Sequence, residues 1–424
     1  MEIIETKEDY NKSSLGLIPN DWKQVHLNEV AKVIDGDRSS NYPSGNDIVD
    51  EGILFLSTKN IVNSFFDYHD TRFISKEKFD SIKKGKLKKD DLVITMRGSI
   101  GNVARFTGVP FQTALINAQM SIIRPTGINS EYLWSSLNSF IMPRYLQKIT
   151  SGSAQPQLTK KDVEKIPIPL PPIGEQQKIA LILSTWDKAI ELKEKLIEQK
   201  KQQKKGLMQK LLTGEVRLPG FEGEWKKVRL GKIGKTYNGL SGKKAEDFGE
   251  GKPYIPYKAI FDNSKIYINK FEYVRIEENE KQNIVKYGDI FFTTSSETPD
   301  EVGMSSVLLE DVNEVYLNSF CFGYRLNNFD TLIPEFAQFL FRSDSFRRST
   351  FKLAQGSTRF NISKNEMMKI TVLLPSIEEQ KAIAEVLSNA DREIKLLKKQ
   401  VNFLKEQKKG LMQLLLTGKV RVKV

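Results

Sequence analysis

The chain reads KKGLMQKLLTG at residues 204–214 and KKGLMQLLLTG at residues 408–418. Working outward from that pair, an ungapped alignment of residues 173–218 with 377–422 gives 25 identities in 46 positions. The same offset matches Gly152–Ser153 with Gly356–Ser357, Lys165–Ile166 with Lys369–Ile370, and Leu170–Pro171 with Leu374–Pro375. Near the start of each half, DWKQVHL (21–27) resembles EWKKVRL (224–230). The chain is therefore a tandem duplication with a period of about 204 residues, in which the framework is common and the interiors differ.

The repeated segment has helical periodicity. Ile383, Leu387, Ala390, Ile394, Leu397, Val401, Leu404, Leu411 and Leu415 recur at steps of three, four or seven. The first copy gives Ile179, Leu183, Trp186, Ile190, Ile197, Leu207 and Leu211, interrupted by Lys193, Lys200 and Lys204. Such a stripe predicts two long helices, over 174–214 and 377–424, packed on each other as a coiled coil. An antiparallel pairing gives the duplication a pseudo-twofold relation. Ser376 with Glu379 predicts a capping box, and Gly214 and Gly418 stand where left-handed C-terminal caps are needed.

The intervening segments, 1–173 and 215–376, read as two globular domains of mixed α/β (α+β) class. Residues 52–61, 91–98, 101–106 and 118–125 have strand character in the first, as do 252–260, 288–296, 304–310 and 320–327 in the second. Residues 130–149 and 334–354 read as helices.

Composition removes several classes of function. Cys321 is the single cysteine, and His26 and His69 are the only histidines, so no disulfide, cysteine-rich metal site or histidine cluster is available. No G-x-x-x-x-G-K-[ST] loop occurs, and no glycine-rich turn follows a first strand. The chain is predicted to be catalytically empty. No run of residues is long and apolar enough for a membrane span, and the expected setting is the cytoplasm. Of the net charge of +12, +4 falls in 174–214 and +5 in 377–424. That excess suits a polyanionic partner, or simply solvated lysine faces.

Binding chemistry is better represented. Arg and Lys pair with guanine edges, and Asn and Gln with adenine. Candidates on loops are Arg38, Ser39, Ser40, Lys59, Asn60, Arg97, Ser99, Gln155 and Gln157 in the first half. In the second half they are Lys243, Lys244, Lys258, Thr294, Ser295, Ser296, Glu297, Arg359 and Asn361.

Two divergent α/β domains alternating with two similar helices that end KKGLMQ-LLTG resemble the specificity (S) subunit of type I restriction–modification enzymes. PPIGEQQKIALILSTWDKAI (171–190) and LPSIEEQKAIAEVLSNADREI (374–394) carry that resemblance most strongly, with IPNDWKQVHLNEV (18–30) and FEGEWKKVRLGKI (221–233). It implies a non-catalytic subunit whose two target recognition domains each read one half of a split double-stranded DNA target. The helices would set the spacer and dock two modification (methyltransferase) subunits, and restriction subunits would join them. S-adenosylmethionine, ATP and Mg²⁺ would sit on those partners, with no cofactor on this chain. On that basis Lys204, Lys205, Leu207, Met208, Leu211, Lys408, Lys409, Leu411, Met412 and Leu415 are expected to serve docking. The alternative is a coiled-coil scaffold without DNA specificity.

Overall fold

The computed structural model describes residues 3–4, 10–39, 41–149, 157–356 and 358–423. The chain folds into two compact units, Met1–Lys193 with Gln400–Val424, and Glu194–Lys399. Their limits fall inside the long helices, so each unit takes one part of both.

In the first unit a four-stranded antiparallel sheet is ordered Val103–Arg105, Leu92–Thr95, Met120–Pro125, Ala31–Asp35. Leu92-Val-Ile-Thr is buried on both faces, which is why it reads as an unbroken apolar, β-branched run. A second sheet is built on Ile53–Leu56, which pairs parallel with Ala114–Ile116 and antiparallel with Arg72–Ile74. The second unit repeats the plan. Its main sheet runs Gly234–Asn238, Cys321–Leu326, Ile290–Thr293, Ser305–Val307. Its second sheet centres on Phe248–Ile255, again with a parallel partner, Tyr316–Leu317.

Cores differ more than frames. The second unit fills its main core with Phe292, Phe322, Phe336, Phe339, Phe341 and Phe346. The first uses Ile, Leu and Met at most of the corresponding depth, around Tyr132 and Trp134. Each such side chain contributes about 1.5–3 kcal/mol by burial, and either set satisfies the same backbone.

The long helices span Ile173–Leu211 and Ile377–Leu416. In the first unit Lys408 Nζ meets Asp187 Oδ1 at 2.5 Å and Lys193 Nζ meets Gln400 Oε1 at 2.9 Å. In the second, Lys200 pairs with Glu393 at 2.8 Å and Lys204 with Asp391 at 2.6 Å. Within each unit one helix's numbering rises as its partner's falls, so the pairing is antiparallel. The lysines that interrupt the apolar stripe hold the cross-helix polar contacts.

Gly214 (φ +74°) and Gly418 (φ +67°) adopt the left-handed cap geometry. The capping box at Ser376 is only half formed. Its hydroxyl accepts from the Glu379 N–H at 3.3 Å, but the Glu379 carboxylate binds Arg217 instead. The helix expected over 130–149 is interrupted, with Ser139 non-helical between Ser130–Ser136 and Met142–Ile149. Likewise 334–354 is two helices, Pro334–Leu340 and Asp344–Phe351, the second capped by Ser343. The apolar run at 252–260 divides at Pro256 into the end of a strand and the helix Tyr257–Asp262.

Candidate nucleic-acid interface

In each unit, three turns converge at one end of the main sheet. The first follows strand Ala31–Asp35. There a side chain at Gly36 would place its Cβ 2.3 Å from the Asn117 carbonyl oxygen, so only glycine fits. The second is the Asx turn at Asn117, whose Oδ1 accepts from the Gln119 N–H at 3.0 Å. The third leaves Thr95, whose Oγ1 accepts from the Asn102 N–H at 3.0 Å. Backbone bonds knit them together, Gly36 N–H to Met120 O at 3.1 Å and Met96 N–H to Gln119 O at 2.8 Å.

The second unit has the same three turns, the third of them longer by four residues. A Cβ at Gly239 would lie 2.0 Å from the Asn318 carbonyl oxygen. Asn318 Oδ1 accepts from the Phe320 N–H at 2.9 Å, and Thr293 Oγ1 from the Met304 N–H at 2.9 Å. Thr294 N–H donates to Phe320 O at 2.9 Å. At the opposite end of each main sheet from the turns a buried carboxylate holds an arginine through two bonds, Asp91 with Arg124 and Asp289 with Arg325. Such bidentate pairs fix orientation. The carboxylate raises the pKa of each guanidinium, so both remain charged.

Around the first set of turns lies an open concavity of about 590 Å³, lined by Arg38, Tyr42, Arg97, Asn117, Ala118 and Gln119. Arg38 and Arg97 are 59 positions apart in sequence, and the fold brings them to one hollow. Arg38 Nε donates to Ala118 O at 3.3 Å, and the residue is exposed. Beside it the Ser39 hydroxyl and N–H hold the Asp37 carboxyl below its usual range, so a negative charge supports the loop. Lys83 and Lys84 line the adjoining hollow.

The other candidates are placed as follows. Ser39, Lys59, Ser99 and Gln157 are exposed, whereas Ser40 and Gln155 lie outside the described residues. Asn60 is buried and its amide is fully engaged. It accepts from Ser57 and donates to the Asp67 and Asp70 carbonyls, which makes it a loop brace rather than a reader. Lys243 is buried against Glu280, so its charge is already matched. Lys244 and Lys258 are exposed. Ser295–Ser296 pair as a short ladder with Phe360–Asn361, bringing Thr294, Glu297 and Arg359 to one edge. Sequence reasoning missed Tyr42, Asn117, Gln119, Asn318 and Phe320. The signal available was the Asn-x-Gln and Asn-x-Phe spacing directly after the strands Ala114–Ile116 and Tyr316–Leu317, at equivalent places in both halves.

Docking candidates divide sharply. Leu211 and Leu415 are buried in the cores of their own units, with Leu207, Met208, Leu411 and Met412 packed alongside. Lys204 and Lys408 are held by Asp391 and Asp187 and lie over the rings of Phe339 and Trp134. Those eight residues pack or pair within their own units. Lys205 and Lys409 are exposed.

A family model for the type I restriction modification DNA specificity domain matches residues 19–202 and again 222–406. The chain belongs to the type I restriction–modification specificity family. The MjaVIII specificity subunit of Methanocaldococcus jannaschii is 28% identical over 98% of this chain and 97% of its own length. The EcoKI specificity subunit of Escherichia coli K12 is 24% identical over 92% and 86%. Among solved structures, a chain from a study of complex assembly and conformational transition of the type I R-M system superposes with a TM-score of 0.61 at 18% identity, covering 95% of this chain and 99% of that one. The HsdS subunit of Thermoanaerobacter tengcongensis superposes at 0.50, with 18% identity over 95% and 98%. These likenesses match the specificity-subunit fold described above, duplication included. No helix among the described residues is long and apolar enough to cross a membrane. No cluster of three metal-ligating side chains occurs among them either.

Proposed function

We propose that this specificity-family chain is the non-catalytic DNA-reading subunit of a cytoplasmic type I restriction–modification complex. Each unit presents its three turns to one half of a bipartite double-stranded target. Adenine methylation is carried out by two modification subunits holding S-adenosylmethionine, and cleavage by restriction subunits using ATP and Mg²⁺. The paired helices set the spacer between the half-sites. The observation that carries this reading is the retention of one set of turns in both units with different outward side chains. A duplicated frame with divergent tips is what two readers of two different half-sites require.

Docking is supported by a different feature of the helices. Gly206 and Gly410 sit in helix interiors, where glycine costs about 1 kcal/mol relative to alanine. A Cβ at either would meet nothing in this chain within 4 Å, so no internal packing requires them. Each leaves a notch beside an exposed lysine, Lys205 or Lys409, at equivalent positions. Two copies of one partner would find the same surface twice.

The test is methyl transfer to plasmid DNA by the full chain with and without modification subunits. Site-specific transfer only with the partners, on a two-part motif, is the expected result. Turnover by the chain alone would refute the reading.

A further inference from the structure

The two readers share a frame and differ at a few outward positions, and those positions differ in chemical kind. Aligning the turns through their common bonds equates Arg38 with Ser241, Arg97 with Ser295, and Gln119 with Phe320. Gln119 and Phe320 occupy the tip of the same Asx turn, each fixed by its own N–H and C=O. Gln119 is exposed, and Phe320 is 60% exposed. A large apolar ring held in water on a rigid turn has no role within its own unit. Arg97 is exposed as well, and among the described residues neither it nor Gln119 uses its side chain in a hydrogen bond or ion pair.

We infer that the two half-sites are read by different chemistry at one equivalent position. The first unit reads base edges by hydrogen bonds from Arg97 and Gln119, and the second by apolar contact from Phe320. This rests on the proposed function and says how that function is divided. Arg97 presents two parallel N–H groups, which match O6 and N7 of guanine. Gln119 offers one donor and one acceptor, which match N7 and N6 of adenine. Arg38, tied through Nε to the loop backbone, is placed to grip phosphate at the wall of the same hollow. Phe320 has no polar atom and contacts the thymine methyl, or wedges against a base step. The first half-site therefore contains a G·C or A·T pair recognised as a purine edge. The second contains a thymine or a deformable step at the corresponding place.

The experiment is motif determination by methylome sequencing in cells carrying the full chain and its modification subunits. The variants are Arg97→Ala, Gln119→Ala, Phe320→Ala and the reciprocal Phe320→Gln. Discrimination at one base pair of the first half-site should fall about tenfold or more in each first-unit variant, with the second half-site unchanged. Phe320→Ala should relax only the second half-site, and Phe320→Gln should shift its preference toward adenine at that place. All three side chains replaced are surface groups, so assembly with the modification subunits is retained and checked by native mass spectrometry. A wild-type two-part motif that survives all four substitutions overturns the inference and leaves the proposed function standing. Absence of any two-part motif in the wild type overturns the proposed function itself.

Discussion

Glu175 and Glu379 occupy equivalent places in the two units, both almost fully buried, yet their surroundings are completed differently. Arg421 binds Glu175 through Nε and Nη2 and also reaches Asp21, while the Trp22 indole donates to Glu175 at 3.0 Å. Arg217 binds Glu379 at 2.6 and 2.7 Å, but the equivalent indole, Trp225, has a buried Nε1 with no partner. In the first unit the lock ties Arg421, in a short strand after the second long helix, to Glu175 at the start of the first. In the second it ties Arg217, after the first long helix, to Glu379 at the start of the second, 162 positions on. The arginine–carboxylate pair has persisted through the duplication because a buried carboxylate without it is costly. The indole donor adds to a satisfied pair, so its loss in one copy was tolerable.

This contrast can be broken by substitution, beginning with the largest effect. If the repeated eleven residues are structural, Leu211→Ala and Leu415→Ala should each destabilise their own unit by about 2–5 kcal/mol, because both are buried in a packed core. Hydrogen exchange resolved by segment would show the loss confined to one unit in each case. Equal loss in both units would contradict that division. Next, Lys408→Ala should cost about 1–2 kcal/mol and Lys204→Ala less. Asp187 is 22% exposed with Oδ2 buried and unpartnered, whereas Asp391 is 43% exposed and can turn to water. Thermal unfolding of the two variants tests the order. Finally, Trp22→Phe should cost about 1 kcal/mol through the lost donor, while Trp225→Phe should be neutral or slightly stabilising, since it removes an unsatisfied N–H. Equal losses for the two tryptophans would remove the distinction drawn here.

The duplication, both long helices and their left-handed caps were readable because they rest on period and identity. The strands Ala31–Asp35 and Gly234–Asn238 were not. AKVID sets three apolar residues among two charges and GKTYN carries only Tyr237, and their strand state comes from five-residue pairing with a buried neighbour. The helix boundary at Ser139 was hidden because Leu133, Leu137 and Ile141 keep helical spacing across it. Among site residues, Arg38 and Arg97 were legible as glycine-flanked loop arginines. Asn60 and Lys243 could not be told from readers until their internal partners were visible. Lys204 and Lys408 were read as docking residues from their repetition, and their pairing with Asp391 and Asp187 was not legible until the helices were seen side by side within each unit.

The central claim is that two equivalent frames hold two independent readers, and a transplant within the chain tests it most directly. Replacing residues 31–158 by residues 234–362 exchanges one set of turns for the other at equivalent framework bonds. Methylome sequencing of cells carrying this variant with its modification subunits should give a motif whose two halves contain the bases of the original second half-site. Persistence of the original first half-site, or loss of any motif from a complex shown intact by native mass spectrometry, would contradict the account.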